Sequence, residues 1–264
     1  MNYDGMPVSI RRLVQGLPFE VNETGLSGSQ VLMFPDMTLK IGPDSDTNEK
    51  MVEVMDWMNG RLPVPKVLAH EKQGGQDYLL MSRISGKMAC DRSYMEQPDI
   101  LILLLAEGLR MFWKADITGC PRIIALEDQL AKARERVEAG LANKENAQPE
   151  TYGPGGFKDP ADLLRWLEEN QPSVEPSLSH GDFCLPNVFL KGNTVSGFID
   201  LGETGVADKW RDVALCWRSL KNNAEGFYGG AGYPSIQADA LFDALGVPPD
   251  REKIRYYILL DELF

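Results

Sequence analysis

Short apolar runs broken by turn residues fill the first third of the chain, and longer runs with helical spacing fill the rest. Residues 30–34 read as a strand that follows the interruption Gly25-Leu26-Ser27-Gly28-Ser29. Pro35, Asp36 and Met37 make a turn, and residues 38–41 read as the return strand, carrying Lys40. A helix is expected over residues 47–59. At about 100° per residue, Met51, Val52, Met55 and Met58 share one face of it. Glu49, Glu53 and Asp56 lie opposite, so both glutamates should point to solvent. Prolines at 63 and 65 make the next stretch a stiff, extended connector. Residues 78–82 read as a buried strand, and residues 83–86 as the exit from this region. Helices are then expected over residues 100–113, 126–141 and 250–264, with another opening at Asp159-Pro160, where Asp suits the cap and Pro the first position. Residues 143–157 are polar and rich in Gly and Pro, which predicts a loop or lid. The pattern divides the chain into a small β-rich lobe with one helix (residues 1–85) and a larger, mainly helical lobe (residues 86–264), an α+β protein.

The sharpest chemical signal lies in the second lobe. His180-Gly181-Asp182 is followed by Asn187, and Asp200 stands in Phe198-Ile199-Asp200-Leu201-Gly202. His-Gly-Asp alone would be an ordinary turn, but the D-x-x-x-x-N spacing with a second aspartate is that of a protein-kinase catalytic loop and its magnesium aspartate. The chemistry explains the spacing: Asp182 would accept a hydroxyl proton, the Asn187 amide oxygen would hold magnesium, and Asp200 would reach the same metal from a neighbouring strand. Residues 188–200 between them read as a β-hairpin turning at Lys191-Gly192-Asn193, which folds Asp200 back beside Asn187. Upstream, a Gly-containing loop between strands, then Lys40 on the next strand, suits covering and neutralising ATP phosphates. These features predict a two-lobed, protein-kinase-like fold, with adenine against backbone groups where the strand at 78–82 leads into the connector.

Bulk properties narrow the partners. The 27 basic and 39 acidic residues give a net charge of −12, which disfavours nucleic acid and anionic membranes and suits a cationic substrate. The same acidity also serves solubility alone. Residues 1–5 carry no basic or apolar signal pattern, and the longest apolar run, residues 100–106, is too short to span a bilayer. Cys90, Cys120, Cys184 and Cys216 show no metal-finger spacing and read as reduced thiols of a cytoplasmic protein. With His70 and His180 the only histidines, a histidine-rich metal site is excluded. Asp261, Glu262 and a carboxylate at Phe264 make a compact anionic group beside a flat apolar ring; the plainer reading is a frayed, solvated end. Oligomeric state is not readable from the sequence.

Four segments carry a family resemblance: residues 179–187 (SHGDFCLPN), 196–202 (SGFIDLG), 207–214 (ADKWRDVA) and 257–264 (YILLDELF). Together with residues 62–67 (LPVPKV) and 79–82 (LLMS), the chain resembles the bacterial aminoglycoside 3'-phosphotransferases over nearly its whole length. The resemblance implies an enzyme that uses ATP and Mg2+ to phosphorylate a polycationic aminoglycoside, conferring resistance. It implies that Asp182 is the catalytic carboxylate, that Asn187 and Asp200 hold magnesium, and that Lys40 contacts the ATP phosphates with Ser27 above them. Ser82 and Ile84 would present backbone groups to adenine. Asp261, Glu262 and the carboxylate of Phe264 would bind drug ammonium groups, and Asp212 would brace the catalytic loop. Four positions depart from the family: Met51 where a glutamate pairs with the strand lysine, Thr38 where an aromatic meets adenine, Glu203 where arginine follows Asp-Leu-Gly, and Asn222 where a residue can be acidic. Two other readings remain open at this point: a kinase-like phosphotransferase for another small amino alcohol or sugar, and a weakly active nucleotide-binding relative.

Overall fold

The computed structural model describes residues 5–22, 29–44, 46–142, 144, 147–230 and 232–264. Its first part is a five-stranded antiparallel sheet with two helices. The strands are β1 (Glu20–Asn22), β2 (Gln30–Met33), β3 (Met37–Pro43), β4 (Val67–Gln73) and β5 (Gln76–Ser82), in the order β1-β2-β3-β5-β4. The helices are α1 (Val8–Val14) and α2 (Asp46–Met58).

Strand alternation sorts the side chains. β3 and β5 pair Leu39 with Leu80 and Lys40 with Leu79. Successive side chains point to opposite faces, so Leu39, Ile41 and Leu80 bury one face while Lys40 and Leu79 occupy the other. The first face is closed by Met6, Ile10 and Val14, which pack with Leu32, Phe34 and Tyr78. On the second face Leu79 joins Met51, Val54, Met55 and Met58 of α2, in a cluster continuous with the core of the rest of the chain. α2 thus buries the methionine face expected of it and leaves Glu49 and Glu53 exposed. The expectation of one helix in this region is corrected: α1 is a second. It has seven residues, of which Ile10 and Val14 alone are buried, too short a repeat to stand out from the surrounding runs.

The larger part contains β6 (Lys87–Met88), α3 (Arg92–Met95), α4 (Pro98–Lys114), α5 (Leu126–Glu138), α6 (Pro160–Glu169), β7 (Pro176–Ser179), β8 (Val188–Lys191), β9 (Thr194–Phe198), β10 (Gly205–Asp208), α7 (Lys209–Glu225), α8 (Ala240–Leu245) and α9 (Arg251–Asp261). α4 is its axis, with Leu101, Leu105, Leu109 and Phe112 fully buried. The Phe112 ring meets Phe183 and Phe198 edge-on, with centroids 6.0 and 4.9 Å away, and so seats the loop after β7 and the β8–β9 hairpin on one helix. α6 begins as its sequence dictates, Asp159 accepting from the Asp162 amide at 2.9 Å with Pro160 at the first position. Strands β8 and β9 form the expected hairpin, with Gly192 left-handed in its two-residue turn.

A polar cluster ties α9 to β10 on the far side of this part. Glu175 accepts from Lys253 Nζ (3.0 Å) and Trp210 Nε1 (2.9 Å) and pairs with Lys209 at 2.6 Å. Tyr257 donates to Asp208 at 2.9 Å, and Lys253 lies 3.4 Å from the same carboxylate. Lys209, then Lys253 and Trp210, hold the Glu175 carboxyl down at about 2. A folded value below the unfolded one, about 4.3, contributes stability that is complete above the unfolded value and lost as pH falls toward the folded one. The Glu175 side chain is 48% exposed, so solvent screening limits the effect to under about 1 kcal/mol. Glu175→Gln should therefore flatten the fall in Tm between about pH 4.5 and 2. Identical slopes in wild type and variant would refute this role.

Candidate active site

The site is built from the loop after β7, the end of the β8–β9 hairpin, and Lys40 on β3. Asp212, 1% exposed on α7, organises the loop. Its carboxylate accepts from Ser179 Oγ (2.9 Å), the His180 amide (2.7 Å) and the Gly181 amide (2.9 Å), the bracing role expected of it. His180 is locked by two further bonds. The Asp182 amide donates to Nδ1 at 3.2 Å, so the ring proton sits on Nε2, which donates to the Ile199 carbonyl at 2.9 Å. Gly181 is required by its surroundings: it is left-handed (φ 87°), and a Cβ there would lie 2.0 Å from the Glu203 carbonyl oxygen.

This loop brings Asp182 and Asn187 together. Residues Leu185–Asn187 make one 3-10 turn, and the Asn187 side-chain amide donates to the Asp182 carbonyl (3.0 Å) and to its Oδ2 (2.8 Å). The Ile199 amide donates to the Asn187 carbonyl at 3.0 Å, which sets Asp200 beside the loop as the hairpin reading required. Asp200 itself is left-handed (φ 59°, ψ 59°), the one non-glycine residue with positive φ among the described residues. Such a conformation costs about 1–3 kcal/mol and persists where the surroundings over-determine it. Its carboxylate is 58% exposed and lies 3.9 Å from Lys40 Nζ. Burial, then the negative charges of Asp261 and Asp200, push the Asp182 carboxyl above the ordinary aspartate range.

The donor set suits a hard divalent cation. Asn187 spends its NH2 group on Asp182, so its Oδ1 is the atom left to meet a cation, and Asp200, one residue beyond the Ile199 amide that bonds the Asn187 carbonyl, offers an open carboxylate. No group of three or more His, Cys, Asp or Glu side chains forms a metal cage among the described residues. Two oxygen ligands are the usual protein share for magnesium, which keeps water and phosphate oxygens for the rest.

Lys40 meets no carboxylate of α2 among the described residues. Met51 is buried in the apolar cluster, and Glu49 pairs outward with Lys72 at 2.9 Å. At the connector the Ser82 amide is taken by the Lys66 carbonyl (2.8 Å) and Ser82 Oγ by the Lys66 amide (2.8 Å). Ser82 is thus engaged with Lys66 through both its amide and its Oγ, while the backbone of Ile84 makes no backbone hydrogen bond among the described residues. Ser27 lies outside the described residues.

Asp261 and Glu262 of the expected anionic group both have partners within the protein. Arg218 of α7 pairs with Asp261. Glu262 Oε1 accepts from the Gln148 amide at 2.9 Å, while its Oε2 is buried without a partner among the described residues. Burial pushes the Glu262 carboxyl above its ordinary value. Arg136 donates to the Leu263 carbonyl (2.9 Å) and its guanidinium lies 5.8 Å from the Phe264 ring, which is half exposed. Arg218, Arg136, Gln148 and Arg122, which touches the turn after Asp200, were invisible to sequence reasoning. Each acts through a contact with residues 40 or more positions away, and no local pattern marks it.

Residues 19–257 match a family described as the phosphotransferase enzyme family. The chain is 42% identical to an aminoglycoside 3'-phosphotransferase of Enterococcus faecalis over 82% of its length and 78% of the relative's. It is 39% identical to one of Staphylococcus aureus, covering 94% of this chain and 90% of the other. The same fold occurs in an aminoglycoside phosphotransferase from Streptomyces rimosus solved in complex with ADP and streptomycin, at a TM-score of 0.79 and 24% identity, covering 97% and 96% of the two chains.

Proposed function

Since the chain belongs to the phosphotransferase enzyme family, we propose that it moves the γ-phosphoryl group of ATP to a hydroxyl, the 3'-hydroxyl, of an aminoglycoside antibiotic, and thereby confers resistance. The observation that carries the reading is the pairing of Asp182 Oδ2 with the Asn187 side-chain amide at 2.8 Å, beside Asp200, whose neighbour Ile199 donates its amide to the Asn187 carbonyl. In this reaction the substrate hydroxyl oxygen attacks phosphorus as the bond to the β–γ bridging oxygen breaks, and ADP leaves. Asp182 accepts a hydrogen bond from that hydroxyl, orients it in line and takes its proton. Lys40 supplies positive charge to the phosphate oxygens from the floor of the sheet. Asn187 and Asp200 would hold magnesium, which would supply positive charge to the phosphate oxygens. The Ser82 carbonyl and the Ile84 amide are the groups offered to adenine.

Asp261 and Glu262 face ammonium groups of the substrate, with Glu262 Oε2 the carboxylate oxygen that has no partner among the described residues. Substrate affinity should rest in part on long-range attraction by the acidic chain and so decline with salt. No described helix is long and apolar enough to cross a membrane, and all four cysteines are free. We place the enzyme in the cytoplasm, where ATP is supplied and thiols stay reduced.

The test is ADP release in a coupled assay with magnesium-ATP and four conditions: kanamycin, lividomycin (which lacks the 3'-hydroxyl), choline, or no acceptor. Turnover with kanamycin and little with lividomycin is expected. Equal turnover with lividomycin would move the reaction to another hydroxyl. Silence with every acceptor while ATP still binds would overturn the reading.

A further inference from the structure

Among the described residues, Arg122 is the side chain outside the catalytic loop that hydrogen-bonds to the turn following Asp200, and the reaction scheme above leaves it unused. We propose that Arg122 is a positioning residue that holds the Asp200 carboxylate at its metal-binding station; this rests on the reading of Asn187 and Asp200 as magnesium ligands.

The base of Arg122 is fixed. The Val206 amide of β10 donates to the Arg122 carbonyl at 2.9 Å, and the Ile124 amide donates to the Val206 carbonyl at 2.8 Å. From this anchored backbone the side chain, 14% exposed, reaches the turn Leu201–Glu203. Nη1 donates to the Gly202 carbonyl, and Nη2 lies 3.7 Å from Glu203 Oε2. The Glu203 carboxylate balances the guanidinium charge, so Arg122 contributes orientation next to a cation rather than repulsion.

The same turn is wedged from its other side by the catalytic loop. Gly181 sits against the Glu203 carbonyl, and Thr204 Oγ1 donates to the His180 carbonyl at 2.9 Å. Asp200, at the head of this turn, is held left-handed, a conformation it would leave if the turn were released. Arg122 is the clamp that closes the turn against Gly181. Its loss frees the Gly202 carbonyl and lets Asp200 drift from Asn187.

The experiment titrates Mn2+, read by electron paramagnetic resonance of the free ion, into the full chain with ADP. ADP affinity in EDTA and Tm are measured beside it. Arg122→Ala should weaken Mn2+ binding by about tenfold or more, the range in which outer partners of metal ligands act. ADP affinity in EDTA should stay within about twofold. Arg122→Lys should fall between, because an ammonium can bond the Gly202 carbonyl but lacks the fork that also meets Glu203. A lower Tm with unchanged Mn2+ half-saturation in Arg122→Ala would make the residue merely structural and overturn the proposal. Where that variant fails to fold, wild-type Mn2+ affinity in Arg122→Lys overturns it equally. Asp200→Ala separates the two readings: unchanged Mn2+ binding there would refute the metal assignment itself. Its loss there, with the Arg122 variants unaffected, would refute only the role of Arg122.

Discussion

Asp182→Asn should lower kcat by about 10²–10⁴-fold while ADP affinity stays within about twofold, the range associated with one positioned acid–base group. Asparagine keeps the shape of the side chain, and its oxygen can still accept from the Asn187 amide that now meets Asp182 Oδ2 at 2.8 Å. What disappears is the negative charge and the ability to take the hydroxyl proton. The loss should therefore fall on the chemical step, seen in single-turnover ADP release, and not on nucleotide binding, seen by calorimetry. The same variant should melt no lower than wild type. Burial and the charges of Asp261 and Asp200 raise the Asp182 carboxyl, so its ionised form is disfavoured in the folded protein, and removing the charge at neutral pH relieves that. Turnover near wild type would remove Asp182 from the mechanism.

Asp212→Ala should destabilise the protein by about 3–5 kcal/mol and abolish activity with it. Three donors converge on this one carboxylate: Ser179 Oγ, the His180 amide and the Gly181 amide. The serine hydroxyl can turn away, but the two amides belong to the backbone of the catalytic loop and are buried with it. Each unpaired amide costs about 1–3 kcal/mol. Asp212→Asn should fall between, since one side-chain oxygen serves one amide while the NH2 group confronts the other donor. Denaturant unfolding of the three proteins measures both differences. A loss below about 1 kcal/mol in Asp212→Ala would mean that the loop is held by something else.

Local grammar made part of this molecule legible in advance. The hairpin turning at Gly192, the Asp159 cap before Pro160 and the methionine face of α2 all follow from neighbours within a few positions, and the structure has each of them. The spacing from Asp182 to Asn187 was readable because one turn of chain joins them. What sequence reasoning missed is built across the fold. Arg122 reaches a carbonyl 80 positions away, and the Gln148 amide meets Glu262 across 114. The charges of Asp261 and Glu262 can be counted along a sequence, but their partners, Arg218 and the Gln148 amide, cannot. The helix α1 escaped notice because two buried residues do not make a periodicity.

Position 200 answers to two masters at once, and this limits what selection can try there. The backbone at φ 59° is open to glycine and is adopted more readily by asparagine and aspartate than by other side chains. Among the tolerated three, only aspartate carries a carboxylate. Glutamate would keep the charge on a longer arm and on a backbone that resists it. The mutational vocabulary of the site is thus a single word, and variants selected on new antibiotics would have to vary the walls around it, leaving that residue as the fixed point from which the enzyme's repertoire diverges.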